Sequence, residues 1–305
     1  MLSQTTRRLA LVLNENAGAM LAGTATRETI LQRLATCSAD ITEPPEGSLP
    51  DRVRAAAEHA DVVVVAGGDG TAACAATVLA GGQTALGILP SGTMNLLARD
   101  LSLPINDTEA AVDVIREGHI RAIDIGLAGG HTFLCACMLG GPVRLGRHRE
   151  QARRHGPIGQ WLQFARAAVL VLRRPRGLRL TLTVDGRSTR LKTRSLTITL
   201  GALNDTTGRM FGRSRLDEGV LCAYAVGKSG VFGLLRVLWR LANGRPRDPA
   251  LTTFTGRDIT VSSASDTLHV MVDGEVMLLP TPVRFTVNPR ALRVLAPSHR
   301  AEQPA

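Results

Sequence analysis

The sequence predicts an α/β domain built on a mostly parallel sheet, followed by an antiparallel β-rich domain, and three observations carry that expectation. Residues 62–66, Val-Val-Val-Val-Ala, form an apolar run that stops at Gly67-Gly68-Asp69-Gly70-Thr71 and gives way to an alanine-rich segment through Ala80. That is the pattern of a buried strand turning sharply into a helix. Residues 86–89 repeat the device ahead of Pro90-Ser91-Gly92-Thr93, with Asn95 preceding a helical run over 96–99. Beyond Gly130 the period changes to two: Leu178, Leu180, Leu182 and Val184 alternate with Arg179, Thr181 and Thr183, and the rhythm returns at Leu196, Ile198, Leu200 and at Leu268, Val270, Val272. Alternation of this kind marks antiparallel strands with one buried face.

Residues 8–13 open the parallel sheet and 14–19 form a small-residue turn. A helix is expected over 26–34, with Ile30, Leu31 and Leu34 on its apolar face. Residues 42–50 are read as a loop, because paired prolines and a glycine oppose both regular elements. A helix over 51–60 then leads through Asp61 into the central strand. Asp107-Thr108-Glu109 begin a helix over 110–117 that Gly118 stops, and a strand follows over 119–125. The regular pattern breaks at 126–130, which sets the expected domains at 1–127 and 128–290, with a C-terminal segment over 291–305. One strand is expected over 131–139 and a further short one over 283–287. Two helical candidates, 161–172 and 231–241, interrupt the strands. Internal packing is the ordinary reading of each, and contact with a lipid interface is the alternative. The arginine- and histidine-rich stretch 144–155 suits phosphate or acidic lipid, or a solvated surface.

The chain has 305 residues, enough for two cores, and 44% of them are apolar, which excludes a disordered chain. It lacks a charged leader followed by a long apolar core and any uncharged apolar run long enough to span a bilayer, so a cytoplasmic protein is expected. The five cysteines form no CxxC pair, which argues against a zinc site and a disulfide framework, and Cys135 and Cys137 read as buried packing. The formal charge of +10 favours an anionic partner, whether nucleotide, lipid headgroup, membrane surface or nucleic acid. Lys192 and Lys228 are the only lysines, so arginine supplies nearly all of the positive charge. Nucleic acid is the weakest of these partners, since one tyrosine, two tryptophans and six phenylalanines make no repeated aromatic–basic pattern.

Glycine turns let the backbone close on a bound group, and the free N–H groups at a helix start favour an anion, so the two strand–turn–helix junctions point to a phosphate site. Thr71 holds phosphate or caps its helix; Asn95 supplies an amide contact or locks the two turns together; Asn14 and Asn16 border a nucleotide or form Asx turns. Arg99 binds phosphate or pairs with a local carboxylate such as Asp100. In Asp273-Gly274-Glu275, the two-residue spacing sends both carboxylates toward one region if the extended pattern persists; the plain alternative is an exposed hairpin turn.

These stretches together resemble the diacylglycerol kinase catalytic-domain family, which includes bacterial lipid kinases and sphingosine kinases. The resemblance runs in order through Leu13-Asn14-Glu15-Asn16-Ala17-Gly18, Gly67-Gly68-Asp69-Gly70-Thr71, Pro90-Ser91-Gly92-Thr93-Met94-Asn95 with Ala98-Arg99, and Arg121-Ala122-Ile123-Asp124-Ile125-Gly126. It continues in Leu216-Asp217-Glu218-Gly219-Val220-Leu221 and Val272-Asp273-Gly274-Glu275, covering about residues 9 to 288. It implies a Rossmann-like nucleotide-binding domain and then a β-sandwich-like domain whose final segment, 291–297, returns toward the first. It implies ATP and Mg2+ as cofactors, with Gly67, Gly68, Gly70, Thr71, Gly92, Thr93, Asn95, Asn14 and Asn16 around the nucleotide. It further implies a catalytic and metal-organising Asp69, acting on the ion directly or through water, a structural magnesium candidate at Asp217, and Glu275 as general base for a lipid hydroxyl. Asp124 is left between a supporting and a substrate-side role.

The chain departs from the family pattern at two places. Many bacterial members carry an acid where this chain has Leu96, and a proline–alanine pair where it has Gly212-Arg213-Ser214. Both leave the acceptor alcohol open. The expected function is an ATP-dependent lipid kinase acting on diacylglycerol or a related lipid, with peripheral contact to an anionic membrane at the inner surface and no nucleic-acid partner. An NAD kinase or another soluble-substrate kinase is the enzymatic alternative, since Gly67-Gly68-Asp69-Gly70-Thr71 alone is shared with NAD kinases, and a noncatalytic nucleotide- or anion-binding regulator is the other.

Overall fold

The computed structural model describes residues 7–14, 27–35, 41–92, 95–105, 107–141, 143, 177–203, 212–213, 215–227 and 251–297. Asn16, Thr93, the basic stretch 144–155 and both helical candidates at 161–172 and 231–241 lie outside the described residues. The chain divides into two units, Met1–Ile125 with Pro289–Ala305, and Gly126–Asn288.

In the first unit, β1 (Leu9–Leu13), β2 (Ile41–Thr42), β3 (Val62–Gly67) and β4 (Ala85–Pro90) form a parallel sheet in the order β2-β1-β3-β4. β1 and β3 pair from Leu9↔Val62 to Leu13↔Ala66, and β3 and β4 from Val62↔Ala85 to Gly67↔Pro90. Every residue of β3 is buried, as both faces of such a strand are covered by helices, and its sequence is accordingly continuous rather than alternating. The helices are α1 (Arg27–Ala35), α2 (Leu49–His59), α3 (Asp69–Leu79), α4 (Leu96–Asp100) and α5 (Thr108–Glu117). Leu11, Val62 and Val64 of the sheet share a core with Ile30 and Leu34 of α1 and Val112 and Ile115 of α5. Asp107 caps α5 by accepting from the Ala110 N–H at 3.0 Å. The expected loop over 42–50 is shorter than its prolines suggested: Leu49 and Pro50 open α2, because the first turn needs no proline N–H.

The second unit is a sandwich of antiparallel strands. β5 (His119–Ala128) leads into it and β6 (His131–Phe133) pairs back on β5. β7 (Ala136–Gly140), β8 (Leu178–Val184), β9 (Arg187–Thr193), β10 (Ser195–Leu200), β11 (Leu221–Val226), β12 (Leu251–Gly256), β13 (Asp258–Ser263), β14 (Thr267–Val272), β15 (Glu275–Pro280) and β16 (Val283–Ala296) follow. One sheet has the order β12-β11-β10-β7-β14-β15; β13 pairs with β8 and with the start of β16 in the other. The core lies between them, where Leu139, Ile198, Ala223 and Val270 meet Leu180, Leu182, Val261 and Phe285.

Three strands differ from expectation, the first being β5, which runs on through residues 126–128 where a break was expected. The strand over 131–139 is broken into β6 and β7, because Leu134, Cys135 and Ala136 turn their N–H groups onto the Asp273 carboxylate. β16 is 14 residues long rather than a short strand. Its first part pairs with β13; its last part belongs to the first unit, parallel to β4 at Val294↔Leu86.

Candidate active site

Both glycine turns end neighbouring parallel strands. The Ser91 N–H donates to the Gly67 carbonyl at 3.0 Å, which carries the ladder one step past β4. The turns then touch backbone to backbone. A Cβ on Gly92 would lie 2.5 Å from the Gly68 Cα and 2.8 Å from Asn95 Oδ1, and one on Gly68 would lie 3.1 Å from the Gly92 Cα. These two glycines are required first by each other.

Asn95 has left-handed backbone geometry, φ 48° and ψ 48°, which its short polar side chain tolerates. Its Oδ1 accepts from the Gly92 N–H at 3.0 Å and its Nδ2 donates to the Gly92 carbonyl at 2.7 Å. The side chain therefore clips its own turn and does not cap α4, which it precedes. That task passes to Asp69, whose Oδ1 accepts from the Leu96 N–H at 2.6 Å, with further backbone donation from Leu97 and Asn95. Burial raises the Asp69 pKa above the ordinary carboxylate value, against the lowering effect of those N–H groups. On the far side, Asn14 Nδ2 donates to the buried Thr71 hydroxyl at 2.8 Å. The Asn14 N–H also holds the Ala66 carbonyl at 3.1 Å. Asn14, Thr71, Gly67, Gly68, Asp69, Gly92 and Asn95 thus form one connected set around the ends of β1, β3 and β4, with Gly70 exposed in the first turn of α3.

Ser91 was not singled out from the sequence. Its Oγ is buried and without a hydrogen-bond partner among the described residues, at the turn where Gly68 and Gly92 meet. An orphaned hydroxyl is costly unless a bound group completes it, so the turns fit a phosphate-bearing ligand.

In the second unit, Asp273 and Gly274 form a two-residue hairpin turn with φ 43° and 96°, joining β14 to β15 with Val272 opposite Glu275. The extended pattern does not persist, and the two carboxylates are divided. Asp273 turns inward: its Oδ2 accepts from Leu134 N–H at 2.6 Å and its Oδ1 from Cys135 and Ala136 N–H, each at 2.9 Å. Burial raises its pKa, opposed by those three N–H groups and by the charge of Arg213. Glu275 is exposed at the first position of β15. Buried Arg213 donates to the Leu200 carbonyl at 3.1 Å and approaches Cys135 Sγ at 3.8 Å. Burial, helped by the Asp273 charge, pushes the Cys137 thiol well up, which suits a packing role.

Asp217 is half-buried and its Oδ1 lies 3.8 Å from Arg215 Nε, while Glu218 Oε2 accepts from the Ala202 N–H at 3.3 Å. Among the described residues no group of three or more His, Cys, Asp or Glu is placed to hold a metal. The donors here do not fit a cage made of protein alone. Asp124 is buried and accepts from the Arg290 N–H at 2.9 Å, a support for the return of the chain within the first unit.

Two family models divide the chain. The diacylglycerol kinase catalytic domain matches residues 8–128, and the YegS C-terminal NAD kinase beta sandwich-like domain matches residues 143–296. The chain belongs to the diacylglycerol kinase catalytic-domain family. A diacylglycerol kinase of Mycobacterium tuberculosis is 29% identical over 292 residues, which cover 88% of this chain and 89% of that one. A diacylglycerol kinase of Staphylococcus aureus is 28% identical over 266 residues, covering 86% and 82%. The crystal structure of a diacylglycerol kinase from Bacillus anthracis superposes with a TM-score of 0.74 at 21% identity, over 97% of this chain and 99% of that one. Membership in the diacylglycerol kinase family makes the first unit a kinase-type catalytic domain and the second its β-sandwich companion. Among the described residues no helix is long and apolar enough to cross a membrane.

Proposed function

We propose that the chain is an ATP- and magnesium-dependent lipid kinase that moves the γ-phosphoryl group onto a hydroxyl of diacylglycerol or a related lipid, working in the cytoplasm in peripheral contact with an anionic membrane. The observation that carries this reading is the pair of glycine turns locked through Gly68 and Gly92, with Asp69 spanning both and the Ser91 hydroxyl left for a ligand. Backbone N–H groups at the start of α3 suit nucleotide phosphates. Thr71 and Asn14 set the spacing of the turn against β1, and Asn95 keeps the Gly92 backbone in place.

Magnesium that arrives with a nucleotide needs only one or two protein carboxylates, and Asp69 is the one we assign to it, directly or through water; Asp217 is the candidate for a separate, structural magnesium ion. When bound it supplies neutralising charge to the phosphates. The chain's own chemistry is the proton. An alcohol is a weak nucleophile, and Glu275 takes its proton as the oxygen–phosphorus bond forms and the bond to ADP breaks. Its exposure leaves room for a lipid hydroxyl to reach it.

A second reading, phosphorylation of a soluble dinucleotide, is favoured by the NAD kinase likeness of the second unit's family model. The deciding experiment is transfer of labelled γ-phosphate from ATP with magnesium into extracted lipids or NAD, using intact protein and Glu275→Gln. Lipid labelling that falls about 10²-fold or more in the variant, with folding preserved, supports the lipid kinase. Labelling of NAD alone supports the second reading.

A further inference from the structure

The β8–β9 hairpin carries a feature that phosphoryl transfer does not use. Arg179 of β8 stands directly opposite Lys192 of β9, and Thr181 opposite Arg190, so three cations share one face of the hairpin. Ser262 of β13 lies beside Thr181 on that face. Together with Ser263 these residues line an open groove of about 510 Å³. The opposite face of the same strands buries Leu180, Leu182 and Val261 in the core, so the cations are held outward by the strand period. Arg179, Arg190 and Lys192 are all exposed. Among the described residues none of the three has an ion pair or a hydrogen bond. The nearby acids are engaged elsewhere: Asp258 with Arg284, and Asp185 with the N–H groups of Arg257 and Asp258.

Like charges placed directly opposite on neighbouring strands destabilise a sheet. Charge on an edge strand such as β9 guards against pairing with other chains, but that purpose is served by Arg187, Arg190 and Lys192 alone. It does not require Arg179 on the inner strand β8. We infer that this face is a docking surface for an anionic bilayer, an inference that rests on the lipid-acceptor reading above. A planar array of phosphates matches a flat strand face rimmed by hydroxyls, and the groove has no aromatic ring on which a nucleic-acid base could stack.

The test is flotation of the full chain, without ATP, on vesicles of phosphatidylcholine with and without 30% phosphatidylglycerol as probe, the composition being a choice of about that order. Each cation near an anionic leaflet is worth about fivefold in partitioning, so Arg179→Thr, Arg190→Thr and Lys192→Thr combined should lower binding to the anionic vesicles about a hundredfold. A charge-matched control, Arg8→Thr, Arg54→Thr and Arg116→Thr, should stay within about threefold of wild type, as these arginines are already paired with acids. Arg179→Lys with Arg190→Lys should retain binding and shows that the fold tolerates change there. Equal binding by the triple variant or equal loss in the control would overturn the proposal. The lipid-kinase reading is tested separately, on detergent-dispersed lipid: absence of labelling there refutes the chemistry, whereas normal labelling with unchanged vesicle binding by the triple variant refutes the surface alone.

Discussion

Asp69 has one job seen in the structure and one we propose for it, and substitution can separate them. Its carboxylate serves as the missing cap of α4, because Asn95 is turned back on Gly92, and its charge is the one we assign to the nucleotide site. Asp69→Ala leaves the Leu96 N–H, and those of Leu97 and Asn95, without their acceptor. Loss of a cap costs about 1 kcal/mol, and a half-buried N–H left unsatisfied adds about another. At about 2–4 °C per kcal/mol for a chain of this size, the melting temperature should fall by about 4–8 °C. Asp69→Asn keeps an acceptor oxygen and should melt within about 2 °C of wild type, while losing about 10²-fold or more in phosphoryl transfer through loss of the charge. Calorimetry and a labelled-phosphate assay on both variants read the two jobs independently. Equal destabilisation by Asn and Ala would refute the cap, and full transfer by Asp69→Asn would refute a catalytic charge.

Three further outcomes follow from the same geometry. Gly92→Ala should destabilise by about 1–3 kcal/mol and more than Gly68→Ala, since its Cβ meets backbone 2.5 Å away against 3.1 Å, and chemical denaturation checks the order. Asp273→Asn is a neutral near-isostere that cannot ionise; because the folded carboxyl holds its proton above the ordinary value of 3.8, wild-type stability falls as pH rises through that window while that of Asp273→Asn stays level, so urea titrations should show the two curves changing relative to each other only there, and parallel curves would refute the raised proton affinity. Glu275→Gln, exposed and outside any cap, should leave the melting temperature unchanged while transfer falls, and a lowered melting temperature would assign it a structural role.

The parallel core and both glycine turns were legible because their signals are local: an apolar run, a turn of glycines, a helical period. The sandwich strands themselves were equally visible in the alternation of residues 178–184 and 267–272, though not which strand pairs with which. What escaped notice depends on contacts between distant residues. Asp69 reaches Leu96 across 27 positions, and Asp273 breaks the strand at Leu134–Ala136 from 137 to 139 positions away. The Asp-Gly pair at 273–274 carried a hairpin signal, and of the two readings open for it the hairpin is the one that forms and separates the two carboxylates. The short strand expected over 283–287 instead continues as β16 through Asn288-Pro289, with Arg290 at φ 52° held by Asp124.

Leu96 is the departure with the most chemical content. It is the first residue of α4, and an acid there would stand at the helix start that Asp69 already occupies. Two carboxylates sharing a half-buried site raise each other's proton affinity, so part of the pair would be neutral at working pH. With leucine in that place, Asp69 alone receives the N–H groups of residues 95–97, and burial rather than a like charge is what raises its pKa. Asp69 is occupied by the cap of α4 and, in our assignment, by the nucleotide. The base we assign to the acceptor, Glu275, lies outside α4 and is left available by its own hairpin. Asp273 takes the three inward N–H groups, so Glu275 is spared any structural hydrogen bond of that turn and its carboxylate stays exposed at the edge of β15.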